Sequence, residues 1–361
     1  MKKAILIFIG ILFFTSAYSQ NLSAFSDYRN YFYVFDNGNL PALMESLPVK
    51  FYQVGGNAVL YADNSDNLKV YYKGNKIDVA DFTPAAYVAT DNYIVYFNNR
   101  ILYVFDNGKN QRMPGWVTNY VVGDSIVGFL DENTNQYKVY TNGETIPLPD
   151  ALDNNSMTSF VAGDNILCYA NAQSEQKAFY HNKVYDLGTN HVSKCLAGTS
   201  TIGFQDDYSQ TFKVFYDGTV ATMENQMPKS FQVGDQLIAY IDAQSNFKIF
   251  YKGDLITVFN YEPDFYSAVD NVVVFGTENF GFNVFYKGKV YKLESTTPTN
   301  FQKDFNSVAY IDQYGYLKMF SDGEIKQVSQ IKITDYILNK NVLMYKMNLN
   351  DYHFFLNGKD Y

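Results

Sequence analysis

Phe212-Lys-Val-Phe-Tyr-Asp-Gly218, Phe247-Lys-Ile-Phe-Tyr-Lys-Gly253 and Phe282-Asn-Val-Phe-Tyr-Lys-Gly288 are three copies of one phrase, and this phrase decides the fold of the 361-residue chain. The final glycine recurs every 34 to 39 residues, and one slot holds Asn182 instead: Gly38, Gly74, Gly108, Gly143, Gly218, Gly253, Gly288, Gly323 and Gly358. Recurrence at such a period is the mark of a repeat fold. The chain therefore contains ten copies of one unit. Repeat folds are scaffolds whose chemistry lies in variable loops, so the pattern predicts architecture and leaves activity open.

One unit can be read from residues 230–259. Strands are expected over 230–233, 236–241, 247–251 and 254–259, with a tight turn at Gly234-Asp235 and a two-residue hairpin at Lys252-Gly253. Glycine adopts the positive φ that such hairpins need without steric cost. Each unit is therefore predicted to be a four-stranded antiparallel meander.

The second strand of this unit is apolar on both faces. Leu237 and Ala239 point to one side, and Ile238 and Tyr240 point to the other. Because a sheet with one wet face alternates polar and apolar residues, both faces must be covered by neighbouring units. The predicted fold is all-β, a closed β-propeller of about ten four-stranded antiparallel repeats of about 35 residues. Two five-bladed propellers that meet near Leu187-Gly-Thr-Asn190, and an open stacked solenoid, are the alternatives.

The two ends of the repeat array are expected to complement each other. The first copy has no room for its opening strand, and only Lys359, Asp360 and Tyr361 follow the last glycine, so the last copy is expected to lack its closing strand. One mixed blade built from both ends would close the ring and hide free sheet edges.

The first nineteen residues have the pattern of a signal peptide. Lys2 and Lys3 precede an apolar run over 4–14, and small residues precede a cleavage site before Gln20. The run is too short to span a bilayer, which takes about 20 residues. We predict a signal peptide over 1–19 and a single exported repeat domain over 20–361, periplasmic rather than extracellular and without direct membrane insertion. Removal of Lys2 and Lys3 changes the formal charge from −9 to −11, which argues against a nucleic acid partner.

No catalytic, cofactor or metal motif is present in the sequence. His181, His191 and His353 are not spaced as metal ligands, and no nucleophile elbow, phosphate loop or dinucleotide fingerprint occurs. The Asp- and Asn-rich loops, such as 63–67 and 131–135, are interpreted as hairpin turns, with calcium ligation as the alternative. We expect no enzyme and no cofactor. A hydrolase or lyase is the alternative, and it requires a converging pair of carboxylates on one face of the ring.

Two cysteines, Cys168 and Cys195, lie on predicted strands of neighbouring repeats. Buried free thiols are the preferred interpretation. A disulfide between the two repeats is the other, because an exported protein meets an oxidising compartment.

Aromatic residues outside the repeat pattern are the candidate partner contacts. Most of the 33 tyrosines occupy fixed strand positions, such as Tyr140, Tyr216, Tyr251 and Tyr286, and are expected in the core. Trp116, Tyr261, Tyr266 and Tyr314 are the predicted contact residues, since aromatic side chains anchor protein interfaces. For Trp116, an equally weighted alternative is that its side chain covers the hydrophobic core instead of contacting a partner. A protein partner in the cell envelope is favoured, and a lectin-like propeller that stacks sugars on aromatic rings is the alternative.

The repeat scheme resembles propeller repeats such as those of WD-repeat and WG-repeat proteins, although their signature residues are absent. The segment Ala17-Tyr-Ser-Gln20 and the Asn-, Lys- and Tyr-rich composition resemble Bacteroidota envelope proteins. Size and an all-β build are similar to the periplasmic plug subunits of the type 9 secretion system. This resemblance implies that the protein occludes or regulates an outer-membrane translocon. It assigns no residue roles.

Overall fold

The computed structural model describes residues 21–152, 160–171, 173–333, 335–348 and 351–361. The predicted signal peptide lies outside these residues. The described chain forms ten antiparallel meanders, one for each copy of the phrase, and they follow one another as the blades of a propeller. The predicted all-β fold and ten blades are thereby confirmed. The described residues contain no helix, and so none that could span a membrane.

The first five blades have the following strands. Blade 1 contains β1 (Leu22–Ser26), β2 (Phe32–Asp36) and β3 (Ala42–Glu45). Blade 2 contains β4 (Phe51–Val54), β5 (Ala58–Ala62), β6 (Leu68–Tyr72) and β7 (Asn75–Ala80). Blade 3 contains β8 (Ala86–Ala89), β9 (Tyr93–Asn98), β10 (Ile101–Asp106) and β11 (Lys109–Arg112). Blade 4 contains β12 (Val117–Val122), β13 (Val127–Asp131), β14 (Gln136–Thr141) and β15 (Glu144–Leu152). Blade 5 contains β16 (Val161–Ala162), β17 (Ile166–Ala170), β18 (Gln176–Tyr180) and β19 (Lys183–Asp186).

The last five blades repeat the same plan. Blade 6 contains β20 (Val192–Ala197), β21 (Thr201–Asp206), β22 (Thr211–Tyr216) and β23 (Thr219–Glu224). Blade 7 contains β24 (Ser230–Val233), β25 (Leu237–Ile241), β26 (Phe247–Tyr251) and β27 (Asp254–Phe259). Blade 8 contains β28 (Phe265–Val269), β29 (Val272–Thr277), β30 (Gly281–Tyr286) and β31 (Lys289–Glu294). Blade 9 contains β32 (Phe301–Asp304), β33 (Ser307–Ile311), β34 (Tyr316–Ser321) and β35 (Glu324–Lys332). Blade 10 contains β36 (Tyr336–Asn339), β37 (Val342–Asn348), β38 (Asp351–Leu356) and β39 (Lys359–Asp360).

The first strand of each four-stranded blade lines the central channel, and the fourth strand lies on the rim. Since the strands alternate in direction, the turn after the first strand and the hairpin after the third lie on one face of the ring, which we call the turn face. The loop after the second strand and the connection to the next blade lie on the opposite face, the loop face. The second and third strands carry most of the buried residues.

The core consists of apolar layers between neighbouring blades. Phe212 of blade 6 packs on Phe231 and Tyr240 of blade 7, and the same arrangement recurs around the ring. Small residues stand where sheets approach most closely: a side chain at Gly203 would press on Ile238 and Phe231. Blades 5 and 6 share one cluster that includes Leu187, so no boundary between two five-bladed rings exists there.

The ring closes by packing of blade 1 against blade 10, and the prediction of a mixed blade is wrong. Lys359 and Asp360 form the short outer strand β39 on β38, so blade 10 is complete. Two residues are enough to form this fourth strand, because the hairpin at Gly358 reverses the chain and places them beside β38. Phe35 stacks on Phe354 with ring centroids 4.3 Å apart, and Asn339 donates to Ser23 Oγ at 3.2 Å. Blade 1 has three strands among the described residues, as predicted, and lacks the innermost one.

Candidate functional site

Six aspartates and one lysine converge where the first turns of the blades meet on the turn face. We call this group the acidic ring: Asp91, Asp124, Asp164, Asp235, Asp270, Asp304 and Lys340. Each member lies at or next to the tight turn between a first and a second strand. The propeller brings these turns together because the first strands line the channel. Residues 35 or so apart in sequence thereby become neighbours.

Hydrogen bonds join the turns into a continuous belt. Ser125 N donates to Asp164 O at 2.6 Å, Asp164 N donates to Gly198 O at 3.2 Å, and Asp235 N donates to Asp270 O at 2.6 Å. Glycine precedes the turn in five blades because a Cβ there would collide with a backbone carbonyl of the next turn, as at Gly198 against Gly234. The spacing of the carboxylates is therefore fixed by backbone contacts.

Lys340 crosses the channel. Its Nζ lies 2.6 Å from Asp91 Oδ1 of blade 3, and 3.5 Å from both Asp270 Oδ2 of blade 8 and Asp304 Oδ1 of blade 9. Burial lowers the pKa of Lys340, but the carboxylates of Asp270, Asp304 and Asp91 outweigh burial and raise it above its usual value. Blades 3 and 8 face each other across a ring of ten, so one ammonium group connects carboxylates from opposite sides of the channel.

In another part of the acidic ring, Thr199 lies between Asp164 and Asp235 and contacts both carboxylates. Thr199 Oγ1 is within hydrogen-bond distance of Asp164 Oδ2 and 3.1 Å from Asp235 Oδ1. Burial and the charge of Asp235 raise the pKa of Asp164 to about 8. Burial and the charges of Asp91 and Asp164 raise the pKa of Asp124 to about 7. With a pKa of about 8, Asp164 is mostly protonated at neutral pH.

The sequence analysis did not identify this ring, although a signal was present. Gly123-Asp124, Gly163-Asp164 and Gly234-Asp235 are the same dipeptide at the same place in three repeats, and Asp91 and Asp270 hold the aspartate position in two others. In a closed ring, equivalent positions meet at the axis. The converging carboxylates that the hydrolase alternative requires are thus present. Among the described residues no group of three or more His, Cys, Asp or Glu side chains is arranged to hold a metal ion.

The Asp-rich loops on the loop face have a different arrangement. Asp63 Oδ1 accepts from Ser65 N at 2.9 Å and from Asn67 N at 3.0 Å, and Lys69 Nζ lies 2.7 Å from Asp63 Oδ2. The same pairing of a loop aspartate with the lysine of the repeated phrase recurs at Lys248 and Asp242. These hydrogen bonds and the lysine outweigh burial and lower the pKa of Asp63. The predicted hairpin turns therefore also contain ion pairs, each between an aspartate of the loop and a lysine of the following strand.

The four predicted contact residues are spread around the ring. Trp116 is 52% exposed with the Arg100 guanidinium 5.0 Å from its ring centre, and Tyr314 is 64% exposed on the loop after β33. Tyr261 stacks on Phe259 beside the exposed Phe280. Tyr266 is half-buried in the first strand of blade 8, and its hydroxyl donates to Ser230 at 2.7 Å. Tyr266 is thus part of the aromatic layer between blades rather than of the same surface as Trp116.

The tyrosines expected in the core hold neighbouring blades together. Tyr140 is buried and donates to Asp106 Oδ2 of the preceding blade at 2.9 Å, and Tyr286 is buried and donates to Asp322 Oδ1 of the next blade at 2.8 Å. Tyr216 and Tyr251 are only partly buried.

Cys168 and Cys195 are both free and buried in one cluster between blades 5 and 6. Burial and the neighbouring Cys168 raise the pKa of the Cys195 thiol.

An apolar cavity with exposed aromatic walls lies at the junction of blades 1 and 10. We call it the seam groove. It has a volume of about 460 Å³, and its walls include Tyr28, Arg29, Tyr33, Leu40, Tyr352 and Phe354. Lys359, Asp360 and Tyr361 pair with the second half of β38, and the groove lies beside its first half, with Asp351 and Tyr352 in the walls. Tyr28 is 59% exposed and Leu40 is 92% exposed. The sequence analysis did not single out any of these residues, because they come together only where the first and the last blade meet.

Comparison with solved structures finds matches of low similarity. The computationally designed protein Ika8 is 16% identical, over 85% of this chain and 96% of that one, with a TM-score of 0.36. Prp20p of Saccharomyces cerevisiae is 13% identical over 58% and 74% of the two chains, with a TM-score of 0.34. Human WBSCR16 is 9% identical over 66% and 89%, with a TM-score of 0.37. No curated protein matches the sequence.

The comparison with protein families agrees with the ten meanders and the closed ring described above. The model of a 10-bladed beta propeller domain matches residues 16–361. The chain therefore belongs to the family of ten-bladed β-propeller domains.

Proposed function

We propose that this chain is a non-catalytic protein-binding propeller of the periplasm, and that it binds its partner through the seam groove. The groove carries this proposal. It combines exposed tyrosine and arginine, two of the residue types that dominate binding energy at protein interfaces, with an exposed leucine in one concave surface.

The geometry of the groove favours a peptide or loop with a large apolar side chain. Phe25 stacks on Tyr352 with centroids 4.3 Å apart and on Tyr33 at 5.3 Å, which gives the groove a rigid aromatic floor. Arg29 is held by Asp27 at 2.8 Å, so its guanidinium is positioned before a partner arrives. Preorganised side chains lose little entropy on binding.

The finer proposal is that the partner is an outer-membrane secretion translocon that the propeller occludes or regulates. The resemblance to type 9 plug subunits motivates it. The channel mouth crossed by Lys340 supports it, because a ring narrowed at one mouth can block a pore.

Affinity purification from gently solubilised envelopes tests the proposal. The tagged mature chain is compared with a Tyr28→Ala/Leu40→Ala variant and with a Tyr208→Ala/Leu47→Ala control, whose residues are exposed away from the groove. We expect a stoichiometric membrane partner with the wild type and the control, and at least about a tenfold loss with the groove variant. Recovery of a free monomer, or equal recovery with both variants, contradicts the proposal. A glycan array with the same proteins tests the lectin alternative.

A propeller-fold hydrolase or lyase is the second candidate, and Asp164 favours it. A carboxyl with a pKa of about 8 next to ionisable Asp235 is suited to act as a general acid beside a base. A panel of nitrophenyl glycosides and esters tests this candidate. Turnover that Asp164→Asn abolishes supports it, and the absence of turnover with the whole panel argues against it.

A further inference from the structure

Tyrosine rings cover most of the hairpins that follow the third strands. At six of the nine hairpin glycines, an added Cβ would lie within 4.0 Å of a tyrosine ring of the neighbouring blade. At Gly323, for example, it would lie 3.3 Å from the Oη atom of Tyr291 in blade 8. The covering tyrosines occupy two positions of the repeat, either two residues before or three residues after the hairpin slot of their own blade: Tyr72, Tyr216 and Tyr251 at the first, and Tyr185, Tyr291 and Tyr361 at the second.

Three of the four blades without such a tyrosine have another side chain in its place. Between blades 1 and 2, Tyr71 of the following blade donates to Asp36 at 2.8 Å, and between blades 3 and 4, Tyr140 donates to Asp106 at 2.9 Å. Between blades 4 and 5, Ile146 packs in an apolar cluster. At these interfaces the space on the hairpin is therefore filled from within the chain.

The interface of blades 9 and 10 is different. Blade 9 has Ser321 two residues before Gly323 and Lys326 three residues after it, so both tyrosine positions hold other residues. Blade 10 has Phe355 at the position of Tyr71 and Tyr140, and phenylalanine has no hydroxyl group to reach across the interface. The side chain of Lys326 is the nearest group to an added Cβ at Gly358.

A cavity of about 240 Å³ lies at this interface, and we call it the rim pocket. Met319 and Phe355 are buried and form its apolar walls, and Ser321 and Asn357 add polar groups. The rim pocket thus occupies the place that a tyrosine ring fills at the other hairpins.

The charged groups of the rim pocket suit a phenol. Lys326 Nζ lies 3.1 Å from Glu324 Oε2, and both residues line the pocket. A phenol hydroxyl donates one hydrogen bond and accepts others, so the carboxylate and the ammonium group complement it. The chain already uses such a contact here, because Tyr286 donates to Asp322 Oδ1, another residue of the pocket wall, at 2.8 Å.

We propose that the rim pocket binds a tyrosine side chain presented by an exposed loop of a partner protein. The ring lies against Met319 and Phe355, and its hydroxyl bonds to Glu324 and Lys326. The inference rests on the proposed protein-binding function only for the source of the tyrosine. The rim pocket faces blade 9, whereas the seam groove lies on the side of blade 10 that faces blade 1, so the two sites can be removed separately.

Binding of small probes tests the chemistry of the pocket. N-acetyltyrosinamide is titrated with the mature chain, and binding is followed by saturation-transfer NMR. We expect a dissociation constant of about 1 mM, as is usual for a ligand of this size. N-acetylphenylalaninamide should bind at least about threefold more weakly, because it lacks the hydroxyl group. A blocked Gly-Tyr-Gly peptide should bind at least as tightly as p-cresol. Tighter binding of p-cresol would indicate a free phenol as the ligand and overturn the proposal.

Variants of the fourth strand of blade 9 locate the site. Lys326→Tyr restores the tyrosine that blades 5, 8 and 10 carry at this position, so it should fill the pocket and weaken probe binding at least about tenfold without lowering the melting temperature. Ile325→Tyr is the matched control. It adds a tyrosine at the adjacent exposed position, whose side chain points to the opposite face of the strand, and should leave probe binding unchanged. Lys326→Met leaves the pocket open without its ammonium group and should weaken binding at least about threefold.

Equal probe binding by the wild type and Lys326→Tyr overturns the proposal, and so does the absence of saturable binding up to about 20 mM. The groove variant Tyr28→Ala/Leu40→Ala should bind the probe as the wild type does, so failure of the seam groove and failure of the rim pocket give different results. In the envelope purification, Lys326→Tyr should recover less partner than Ile325→Tyr. Equal recovery of a partner by these two variants overturns the assignment of the tyrosine to that partner.

Discussion

The carboxyl group of Asp164 shows how a single residue responds to its place in the ring. On an exposed loop it would ionise near 3.8, but burial and the neighbouring Asp235 raise its pKa to about 8 in the folded chain. The folded protein therefore holds a proton that the unfolded chain releases between these two values.

Asp164→Asn should change the pH dependence of stability. The contribution of Asp164 to the free energy of unfolding falls as pH rises from about 4 to about 8, because this group binds fewer protons in the unfolded state there. Asparagine keeps a hydrogen-bonding group near Thr199 and cannot ionise. We expect the variant to be more stable than the wild type by about 1–3 kcal/mol above about pH 8. This free energy is smaller than the full pKa shift would give, because the side chain is partly exposed and solvent screens its charge. The advantage should vanish near about pH 4.

Urea unfolding followed by tryptophan fluorescence at several pH values measures this effect. Asp254→Asn on the rim of blade 7 is the control, since Asp254 is exposed and lies outside the acidic ring. A constant difference between Asp164→Asn and the wild type across the pH range would show that the carboxyl does not titrate as described.

Within a single blade, the strands could be predicted from the sequence, because the spacing of apolar residues and the position of the turn glycine indicate the same strand boundaries. The structure confirms the strands expected over 230–259 to within a residue. The first turns were harder to interpret. A Gly-Asp dipeptide looks like an ordinary turn, and only the closed ring shows that its glycine avoids a collision and its aspartate faces five others.

Gly198→Ala should test the packing of these turns. Its Cβ would meet the carbonyl oxygen of Gly234, and backbone atoms cannot move aside without opening the belt of turns. We expect a loss of at least about 3 kcal/mol in the free energy of unfolding. Gly143→Asn is the matched control, because a side chain at Gly143 meets nothing within 4 Å and Asn182 already fills the equivalent hairpin slot. It should cost at most about 1 kcal/mol. Thermal unfolding followed by circular dichroism compares the two variants, and equal losses would refute the steric explanation.

At the scale of the whole molecule, side-chain contacts between blades 1 and 10 close the ring. Among the described residues, no blade is built from both ends of the repeat array. Sequence counting predicted that the two ends meet, but it could not predict how, because a two-residue strand such as β39 has no periodicity to detect. The seam groove arises at this junction, beside the short strand β39.

Phe354→Ala should weaken the seam selectively. Phe354 is buried and stacks on Phe35, and removal of such a ring costs about 3–5 kcal/mol. Phe247→Ala, between blades 7 and 8, should cost a similar amount. Only the seam variant should open the ring and exchange blades between molecules, so light scattering after size exclusion should show oligomers for Phe354→Ala and monomers for Phe247→Ala. Monomers for both would mean that the seam is no weaker than other blade interfaces.

The contacts that close the ring have a consequence for how the protein is made. Ser26 and Tyr352, joined by a 3.0 Å hydrogen bond, lie 326 positions apart, so blade 1 waits for nearly the whole chain to emerge before its outward apolar face is covered. Contacts this distant in sequence form slowly, and the uncovered face is prone to aggregate in the meantime. A chaperone that shields blade 1 until the last blade is made would therefore raise the yield of folded protein.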